Sequence, residues 1–450
     1  IEENIFSDEM DIYGAKAVMH QPQESNQSSL SRAPIISTEL QDKIKESIET
    51  GDFIPAGRSL YGAGSKGKFK ATMSNCFVAG HKVITQRGLI NIENVIIGDK
   101  VITDNGSWQT VNNLMVKEYT GDLYEITAAT AYDKIVCTPN HSFLTEEGWI
   151  RADRLFARSQ KIRSCYKLKI PVCNFVKEYD DIDITEHYPI DQSTELFYEE
   201  DKVGYKTSMI NNGSLCQVKQ GNLVNRIIKM DSDFRYFIGR WLGDGSVTAR
   251  PKKTIPSILQ IVFNATTERA ASERCIAIGE DKFGIKASVR ETNQNVIAVR
   301  FENPIISSWF EGEFGKGCSG KYVKEKYLGD FDMALGLLDS DGMIYTHGAV
   351  SITLKNLNLI SWLRDTLYLN GINCQDIVPT IHEDTYNLHV PSGIAKSRLA
   401  PLMSKTYHDG RNNITNYGDL ECNFVHVTDI NIIEDITTVV PLKNSEDVQS

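Results

Sequence analysis

The sequence has no paired-cysteine motif, no long apolar run and no excess of basic charge. Its 9 cysteines are odd in number and include no C-x-x-C pair, which argues against a zinc ribbon or a disulfide scaffold and favours a reducing cytoplasm. No apolar stretch is long enough to span a bilayer, so we expect no membrane association. The formal net charge of −11 differs from the basic surface that nucleic-acid-binding proteins usually carry.

The acidic residues are concentrated in one stretch. Residues 177–202 contain ten acidic and two basic residues, so the rest of the 450-residue chain is close to neutral and can carry local basic patches. The sequence begins at Ile1 rather than at a methionine. We therefore expect it to be a piece of a longer or processed protein.

The pattern along the chain divides it into five segments. Residues 1–75 are polar and mixed, with a helix predicted over 37–51. Residues 76–165 have short β-branched runs with a period of two, which predicts an all-β module. Residues 166–230 show no clear period, and we interpret them as a linker or accessory insert. The strand pattern returns at 421–450, so the intervening part is predicted to be inserted into the β module.

The fifth segment, residues 231–420, uses one pattern twice. An apolar helix ends in a DG turn, first in "DFRYFIGRWLGDGSV" and then in "DFDMALGLLDSDGMI". Each is followed by strands and helices in the predicted order αβαββα. The segment is therefore predicted to be an α+β domain with pseudo-two-fold symmetry.

The paired DG turns predict a site for a divalent cation. Gly239 and Gly336 leave room for two helices to approach closely, and Asp244 and Asp341 follow at the C-terminal ends. A carboxylate is unfavourable at that end of a helix unless a cation compensates it. Mg²⁺ prefers oxygen ligands of this kind, and metal ions on a phosphate assist scission of a nucleic-acid strand.

The two turns resemble the paired motifs of LAGLIDADG homing endonucleases. The resemblance implies a DNA-binding saddle of two β-sheets, double-stranded DNA as partner, Mg²⁺ as cofactor, and Asp244 and Asp341 as metal-binding catalytic acids. A basic residue of the family matches Lys321 in "GKYVKEKYLG", and its counterpart in the second half is Lys405 or, alternatively, Arg411. Residues 231–420 contain 21 basic and 22 acidic residues, which leaves a decayed endonuclease as an alternative.

The β module resembles the Hint-type splicing domain of inteins. "CFVAGHKVIT" matches a block that begins with a nucleophile, here Cys76, and "CTPNHSFLT" matches the T-x-x-H block at Thr138 and His141. A cysteine can attack its preceding carbonyl to form a thioester. His141 would protonate the leaving amide nitrogen, and Thr138 would hold the peptide by hydrogen bonding.

The flanking segments complete the resemblance to an intein in a host protein. Residues 1–75 contain "IPAGRSLYGAG" and "MSNC", which resemble the large subunit of ribonucleotide reductases, so this segment would be the N-extein. Residues 437–450 resemble the start of the last splicing block, without its terminal asparagine and next nucleophile. We therefore expect this sequence to begin splicing but not to complete it.

These features together predict a monomeric, cytoplasmic intein with an embedded homing endonuclease. Three alternatives to this interpretation remain. The first is the host reductase itself, of which most would be missing. The second is an autoprocessing domain of the hedgehog type, which shares the β fold but lacks an endonuclease insert. The third is a splicing-only intein whose endonuclease has decayed.

Overall fold

The computed structural model describes the backbone of the chain between residues 76 and 440, with gaps. The described ranges are 76–103, 106–114, 116–159, 166–171, 175–189, 194–211, 214–251, 255–292, 294–382, 384–404 and 422–440. The predicted helix over 37–51 and the whole predicted host segment lie outside these ranges.

The N-terminal part of the described chain is built from antiparallel strands and one helix. A four-stranded sheet has the order β2-β1-β3-β4, with β1 Lys82–Thr85, β2 Gly88–Asn91, β3 Lys100–Ile102 and β4 Trp108–Thr110. Further strands are β5 Lys117–Ala128, β6 Ile135–Cys137, β7 Ser142–Thr145, β8 Gly148–Arg151 and β9 Lys167–Pro171, with helix α1 Ala152–Ser159 after β8. Short alternating runs between turns form these strands, as the period of two predicts.

A distant segment completes the second sheet of this part. The last strand, β24 Cys422–Val440, pairs with β5 and with β9, giving a six-stranded sheet of order β6-β5-β24-β9-β7-β8. Val427 and Ile430 of β24 are buried beside Ile126 and Leu168. We call residues 76–171 together with 422–440 the split β module. Strand β9 lies beyond residue 165, where the predicted β module ends.

The acidic stretch and its surroundings contain strands that the sequence pattern did not predict. They are β10 Ile182–Asp183, β11 Thr194–Glu199, β12 Lys202–Asn211, β13 Ser214–Gln220, β14 Val224–Asn225 and β15 Ile227–Ile228. Strands β11, β12 and β13 form a sheet, β14 pairs with β12, and β10 pairs with β15. Val203 and Val224 are buried against the core of the next unit, so these residues pack as part of the folded body.

Residues 231–404, which we call the two-fold unit, repeat one arrangement. The first half contains α2 Ser232–Asp244, β16 Gly245–Ala249, β17 Pro256–Asn264, α3 Arg269–Phe283, β18 Ser288–Thr292, β19 Val296–Phe301 and α4 Pro304–Phe314. The second contains α5 Phe331–Asp341, β20 Gly342–Ile344, β21 Val350–Leu354, α6 Leu357–Leu369, β22 Val378–Pro379, β23 Tyr386–Val390 and α7 Ser392–Arg398.

The two halves correct the predicted order of elements. Each half has an extra strand, β16 or β20, directly after the DG turn, so the order is αββαββα rather than αβαββα. The sheet orders match, β16-β17-β19-β18 and β20-β21-β23-β22. The extra strands are short and begin at a glycine, and they exist because β17 and β21 pair with them.

Aspartates fix the starts of the two central helices. The Asp231 side chain accepts a hydrogen bond from the Phe234 N–H at 3.1 Å, and Asp330 accepts one from the Met333 N–H at 3.0 Å. Such N-caps satisfy amide groups that have no partner within the helix. The predicted α+β character of this segment is confirmed.

No helix in the described ranges combines the length and hydropathy needed to cross a bilayer. Among the cysteines whose side chains are described, Cys137, Cys275, Cys318 and Cys374 are free thiols.

Candidate functional site

Helices α2 and α5 meet at two glycines. A Cβ added at Gly336 would lie 2.8 Å from the Arg240 backbone nitrogen and 2.9 Å from the Gly239 Cα. A Cβ added at Gly239 would collide with the Met333 carbonyl group. Because these neighbours are backbone atoms, no side-chain movement could make room. The predicted close approach at Gly239 and Gly336 is therefore confirmed.

This packing brings the ends of the two helices together. Asp244 is the last residue of α2, and Asp341 is the last residue of α5. A Cβ at Gly243 would lie 2.6 Å from Asp341 Oδ2, so one carboxylate reaches the residue preceding the other. The Asp244 side chain is 32% exposed, and Asp341 is exposed. Both carboxylates can therefore meet a ligand from solvent.

Lys321 binds the carbonyl groups at the end of α2. Its Nζ donates to the carbonyl oxygens of Trp241 at 2.8 Å, Leu242 at 2.9 Å, Gly243 at 3.3 Å and Gly245 at 2.7 Å. The side chain is only 3% exposed. A cation at the C-terminus of a helix opposes the negative end of its dipole. Lys321 thus provides part of the compensation that the sequence argument assigned to a metal ion.

The charge of Lys321 depends on two opposed effects. Burial lowers its pKa to about 8, whereas the nearby carboxylates of Asp341 and Asp244 act to raise it. At pH 7 the group therefore keeps its proton. The structure brings Lys321 to the predicted acids, but its ammonium group faces backbone carbonyls, which is a supporting position. Lys405 and Arg411 lie outside the described residues.

Arg240 is a member of this site that the sequence argument missed. It is fully buried, and its Nη2 lies 3.2 Å from Glu268 Oε1 and 3.8 Å from Asp244 Oδ2. Its Nη1 also donates to the Asp339 carbonyl of α5. Arg240 therefore links α2 to α5 and forms an ion pair with the Asp244 carboxylate. The signal in the sequence was an arginine four residues before the acid, within the otherwise apolar run from Tyr236 to Leu242.

Asp339, two residues before Asp341, is a second residue that was missed. Its buried carboxylate accepts hydrogen bonds from the Tyr236 hydroxyl at 2.9 Å and the Ser404 hydroxyl at 2.8 Å. Because Tyr236 belongs to α2 and Ser404 follows α7, this acid connects three parts of the two-fold unit. The Asp339 carboxylate is thus hydrogen-bonded to other residues of the protein, whereas the carboxylates of Asp244 and Asp341 are accessible to solvent.

The donor set fits Mg²⁺. Within the described ranges, no cluster of three or more His, Cys, Asp or Glu side chains is placed to hold a metal ion. Asp244 and Asp341 would therefore supply two carboxylates, and the other ligands would come from water and substrate. Mg²⁺ is commonly bound in this way, through one or two carboxylates and the phosphates of a substrate.

Both sheets begin at these carboxylates and carry polar side chains on their outer faces, in the first sheet next to the apolar Ile258 and Val262. In β17, Leu259, Ile261 and Phe263 are buried, so Gln260 lies on the opposite face. Arg300 Nε of β19 donates to Gln260 Oε1 at 2.6 Å. On the second sheet, the corresponding outer positions are polar and are occupied by Ser351, Thr353, Asn387 and His389.

A second candidate site surrounds Cys76, which is 4% exposed. The Cys76 N–H donates to Thr138 Oγ1 at 3.1 Å, and the Thr138 N–H donates to the Cys76 carbonyl oxygen at 3.0 Å. Phe77 forms a β-bridge with Cys137 directly beside this pair. Thr138 therefore holds the backbone of Cys76 from both sides of the residue.

His141 lies over the residue that follows Cys76. Its ring centroid is 4.1 Å from that of Phe77 and 5.0 Å from that of Phe143. Its backbone N–H donates to the Thr138 carbonyl oxygen at 3.0 Å. The structure thus gathers the three residues predicted for acyl transfer, Cys76, Thr138 and His141, in one place.

His81 is an additional residue near Cys76 that the sequence argument did not single out. Its Nε2 lies 2.9 Å from the Val136 nitrogen and 3.0 Å from the Val136 oxygen. Burial lowers the pKa of His81, which favours the neutral ring that can accept the Val136 N–H. His81 therefore ties the turn after Cys76 to strand β6.

Neither a family model nor a curated protein matches this chain. Among solved structures, it is similar to the homing endonuclease I-DmoI in complex with DNA and Mn, at 14% identity and a TM-score of 0.27, covering 36% of this chain and 89% of that chain. It is also similar to the homing endonuclease I-WcaI bound to its DNA recognition sequence, at 17% identity and a TM-score of 0.26, covering 36% and 76%. A third similar structure is the N-terminal LAGLIDADG domain of DUF199/WhiA, at 15% identity and a TM-score of 0.23, covering 36% and 76%.

Proposed function

We propose that the two-fold unit is a Mg²⁺-dependent endonuclease that cuts double-stranded DNA at a specific sequence. The observation that carries this proposal is the glycine contact between α2 and α5, which brings Asp244 and Asp341 to one solvent-accessible point. The outer faces of the two sheets flank this point and would contact the DNA on either side of the cut.

The proposed chemistry is hydrolysis of a phosphodiester bond. Bound Mg²⁺ would polarise the phosphate and stabilise the charge on the attacking and leaving oxygens. Asp244 and Asp341 would position the ion, while Arg240 and Lys321 keep α2 and its carboxylate in place. Water attacks phosphorus and gives up a proton to bulk water, the P–O bond to the leaving oxygen breaks, and that oxygen takes a proton from water.

The test is cleavage of a plasmid that carries the host gene without the inserted segment. Asp244→Asn and Asp341→Asn should each lower Mg²⁺-dependent cutting about 100-fold or more, because each removes a metal-binding charge. Asp233→Asn and Asp332→Asn are matched controls, since they make the same change on α2 and α5 away from the site and should cut normally. Equal cutting by all variants would refute the assignment, and an inactive wild type would favour the decayed endonuclease.

We propose a second function for the split β module, an N–S acyl shift at Cys76 that begins protein splicing. The specific observation in its favour is the reciprocal pair of hydrogen bonds between Cys76 and Thr138. The Cys76 thiolate attacks the Asn75 carbonyl carbon, the amide C–N bond breaks, and the released Cys76 nitrogen gains a proton from His141. The product is a thioester in equilibrium with the amide.

External nucleophiles test this step. Hydroxylamine or dithiothreitol should release residues 1–75 from residues 76–450, and mass spectrometry should find a new N-terminus at Cys76. Cys76→Ala should block release, and His141→Ala should slow it about 100-fold or more. Cys318→Ala removes an exposed thiol elsewhere and should behave like the wild type. Cleavage at another bond, or equal cleavage in Cys76→Ala, would refute the proposal.

The finer identity combines both functions. We propose a monomeric, cytoplasmic intein with an embedded LAGLIDADG homing endonuclease, interrupting the large subunit of a ribonucleotide reductase whose N-extein is residues 1–75. This proposal is supported by the position of β24, which pairs with β5 and β9 across the inserted unit. Sequencing the reading frame beyond residue 450 tests it, because an intein requires a His-Asn pair followed by Cys, Ser or Thr.

A further inference from the structure

The loop between β5 and β6 lies against helix α6 of the two-fold unit. The Tyr132 hydroxyl donates to Asp365 Oδ1 at 2.6 Å, and the Tyr368 hydroxyl donates to the Thr130 carbonyl oxygen. The rings of Tyr132 and Tyr368 meet edge to face, with centroids 4.9 Å apart. This loop is thus bound by residues more than 200 positions away in the sequence.

Two further side chains of the two-fold unit bind the same loop. Arg364 donates to the Tyr132 carbonyl oxygen, and its guanidinium group lies 4.4 Å from the centroid of the Tyr132 ring. The Asn373 amide, which is 1% exposed, donates to the Thr130 carbonyl oxygen at 3.3 Å. The carbonyl oxygens of Thr130 and Tyr132 therefore accept hydrogen bonds from the two-fold unit.

The loop also has a strained backbone. Thr130 has φ of 63°, in the left-handed region that is unfavourable for a β-branched residue. Such a conformation persists where the surrounding structure holds it. The bonds from Tyr368 and Asn373 to the Thr130 carbonyl provide that support.

The loop leads directly to the Cys76 site. Strand β6 is only three residues long, Ile135–Cys137, and Thr138 follows it at once. Its pairing to the first residues after Cys76 is short, through the Phe77–Cys137 bridge and the Val78 N–H donating to the Val136 oxygen at 3.2 Å. All three residues of β6 also pair with β5, so β5, the loop and β6 form one hairpin, and the contact with α6 holds the loop end of the hairpin that carries Thr138.

We propose that the contact between α6 and this loop positions Thr138 against Cys76, so that the inserted two-fold unit supports acyl transfer in the split β module. Tyr132, Tyr368 and Asn373 are then positioning residues for a site none of them touches. The proposal rests on the acyl shift proposed at Cys76. It adds that this shift depends on the unit inserted into the β module.

The test compares hydroxyl deletions in the full chain. Tyr132→Phe and Tyr368→Phe keep the ring packing and remove one donor each, and the double variant removes both. Tyr322→Phe is the matched control, because its hydroxyl donates to a backbone carbonyl, that of Gly312 at 3.1 Å, within the two-fold unit. The readouts are hydroxylamine-induced cleavage at Cys76, hydrogen exchange of the Thr138 amide, and thermal unfolding.

Each single variant should slow cleavage at Cys76 about threefold to tenfold, the usual effect of one buried hydrogen bond, and the double variant should slow it further. Exchange of the Thr138 amide should accelerate in the same order, whereas Tyr322→Phe should match the wild type. Unchanged cleavage and exchange in the double variant would overturn the proposal. A wild type that is not cleaved would refute the acyl shift alone, and the exchange rates of Thr138 would still decide whether the contact positions it.

Discussion

Buried charged side chains in the two-fold unit are each held by several partners. Glu313 of α4 is 1% exposed, forms ion pairs with Lys324 at 2.5 Å and Lys326 at 2.6 Å, and lies 3.1 Å from His187 Nε2. Burial alone would raise its pKa, but the hydrogen bonds from the two lysines and the histidine hold the pKa at about 2. Because His187 belongs to the acidic stretch, this cluster fixes that stretch to the two-fold unit.

The Glu313 cluster predicts a loss of stability in acid. Its folded pKa of about 2 lies below the ordinary value of 4.5, so its stabilisation is present above pH 4.5 and is lost as the pH falls towards 2. We expect Glu313→Gln to lower the free energy of unfolding by on the order of 2 kcal/mol at pH 6, and by much less near pH 2. Urea titrations at several pH values measure the difference.

The control for this prediction is Glu302→Gln. Glu302 pairs with Arg250 at 2.6 Å, but both side chains are exposed, at 40% and 61%. A surface ion pair of this kind contributes little, so the variant should follow the wild type at every pH. A constant difference between Glu313→Gln and the wild type from pH 6 to pH 2 would contradict the prediction.

The helix pair α2 and α5 shows how two elements set the geometry of a site. The carboxylates meet because backbone approaches backbone at Gly239 and Gly336. Larger residues there would separate the helices and move Asp244 away from Asp341. Small displacements of this kind are costly for catalysis, since reacting groups need near-contact geometry.

Substitution of the contact glycine Gly336 is therefore expected to reduce both stability and DNA cutting. Gly336→Ala should destabilise the fold by roughly 1–3 kcal/mol, because its Cβ meets backbone atoms that cannot move aside. It should also reduce DNA cutting by about 100-fold through displacement of the carboxylates. Unfolding curves and plasmid cleavage measure the two effects.

The matched control is Gly393→Ala in helix α7. A Cβ at Gly393 meets nothing within 4 Å, so the change should be neutral or slightly stabilising through the helix propensity of alanine. If Gly336→Ala were as stable and active as Gly393→Ala, the close contact between α2 and α5 would not determine the site.

The two candidate sites are connected by strand pairing and by side-chain packing between the split β module and the two-fold unit. Strand β24 returns to the sheet of the split β module after the two-fold unit, so both ends of the inserted part are anchored in one sheet. Leu89 and Tyr132 of the split β module pack on the core of the two-fold unit. A disturbance in one unit can therefore reach the other through these contacts.

The sequence by itself determined the elements and residues that depend on local pattern. The spacing of apolar residues and the capping aspartates specify α2 and α5, and the two DG turns identify Asp244 and Asp341. The strands β16 and β20 escaped prediction because they are short and lack an alternating pattern. In the acidic stretch, packing against the two-fold unit provides the order that local composition did not indicate.

Only the tertiary structure decided which distant residues support each site. Lys321 caps a helix about 80 positions earlier, and Tyr368 binds the Thr130 loop from 238 positions away. No local sequence pattern predicts these partners. They come into contact only when the two units pack together, because buried carbonyl groups then need hydrogen-bond donors from the neighbouring unit. The sequence motifs identify the side chains of each candidate site, and tertiary packing determines the distances between them.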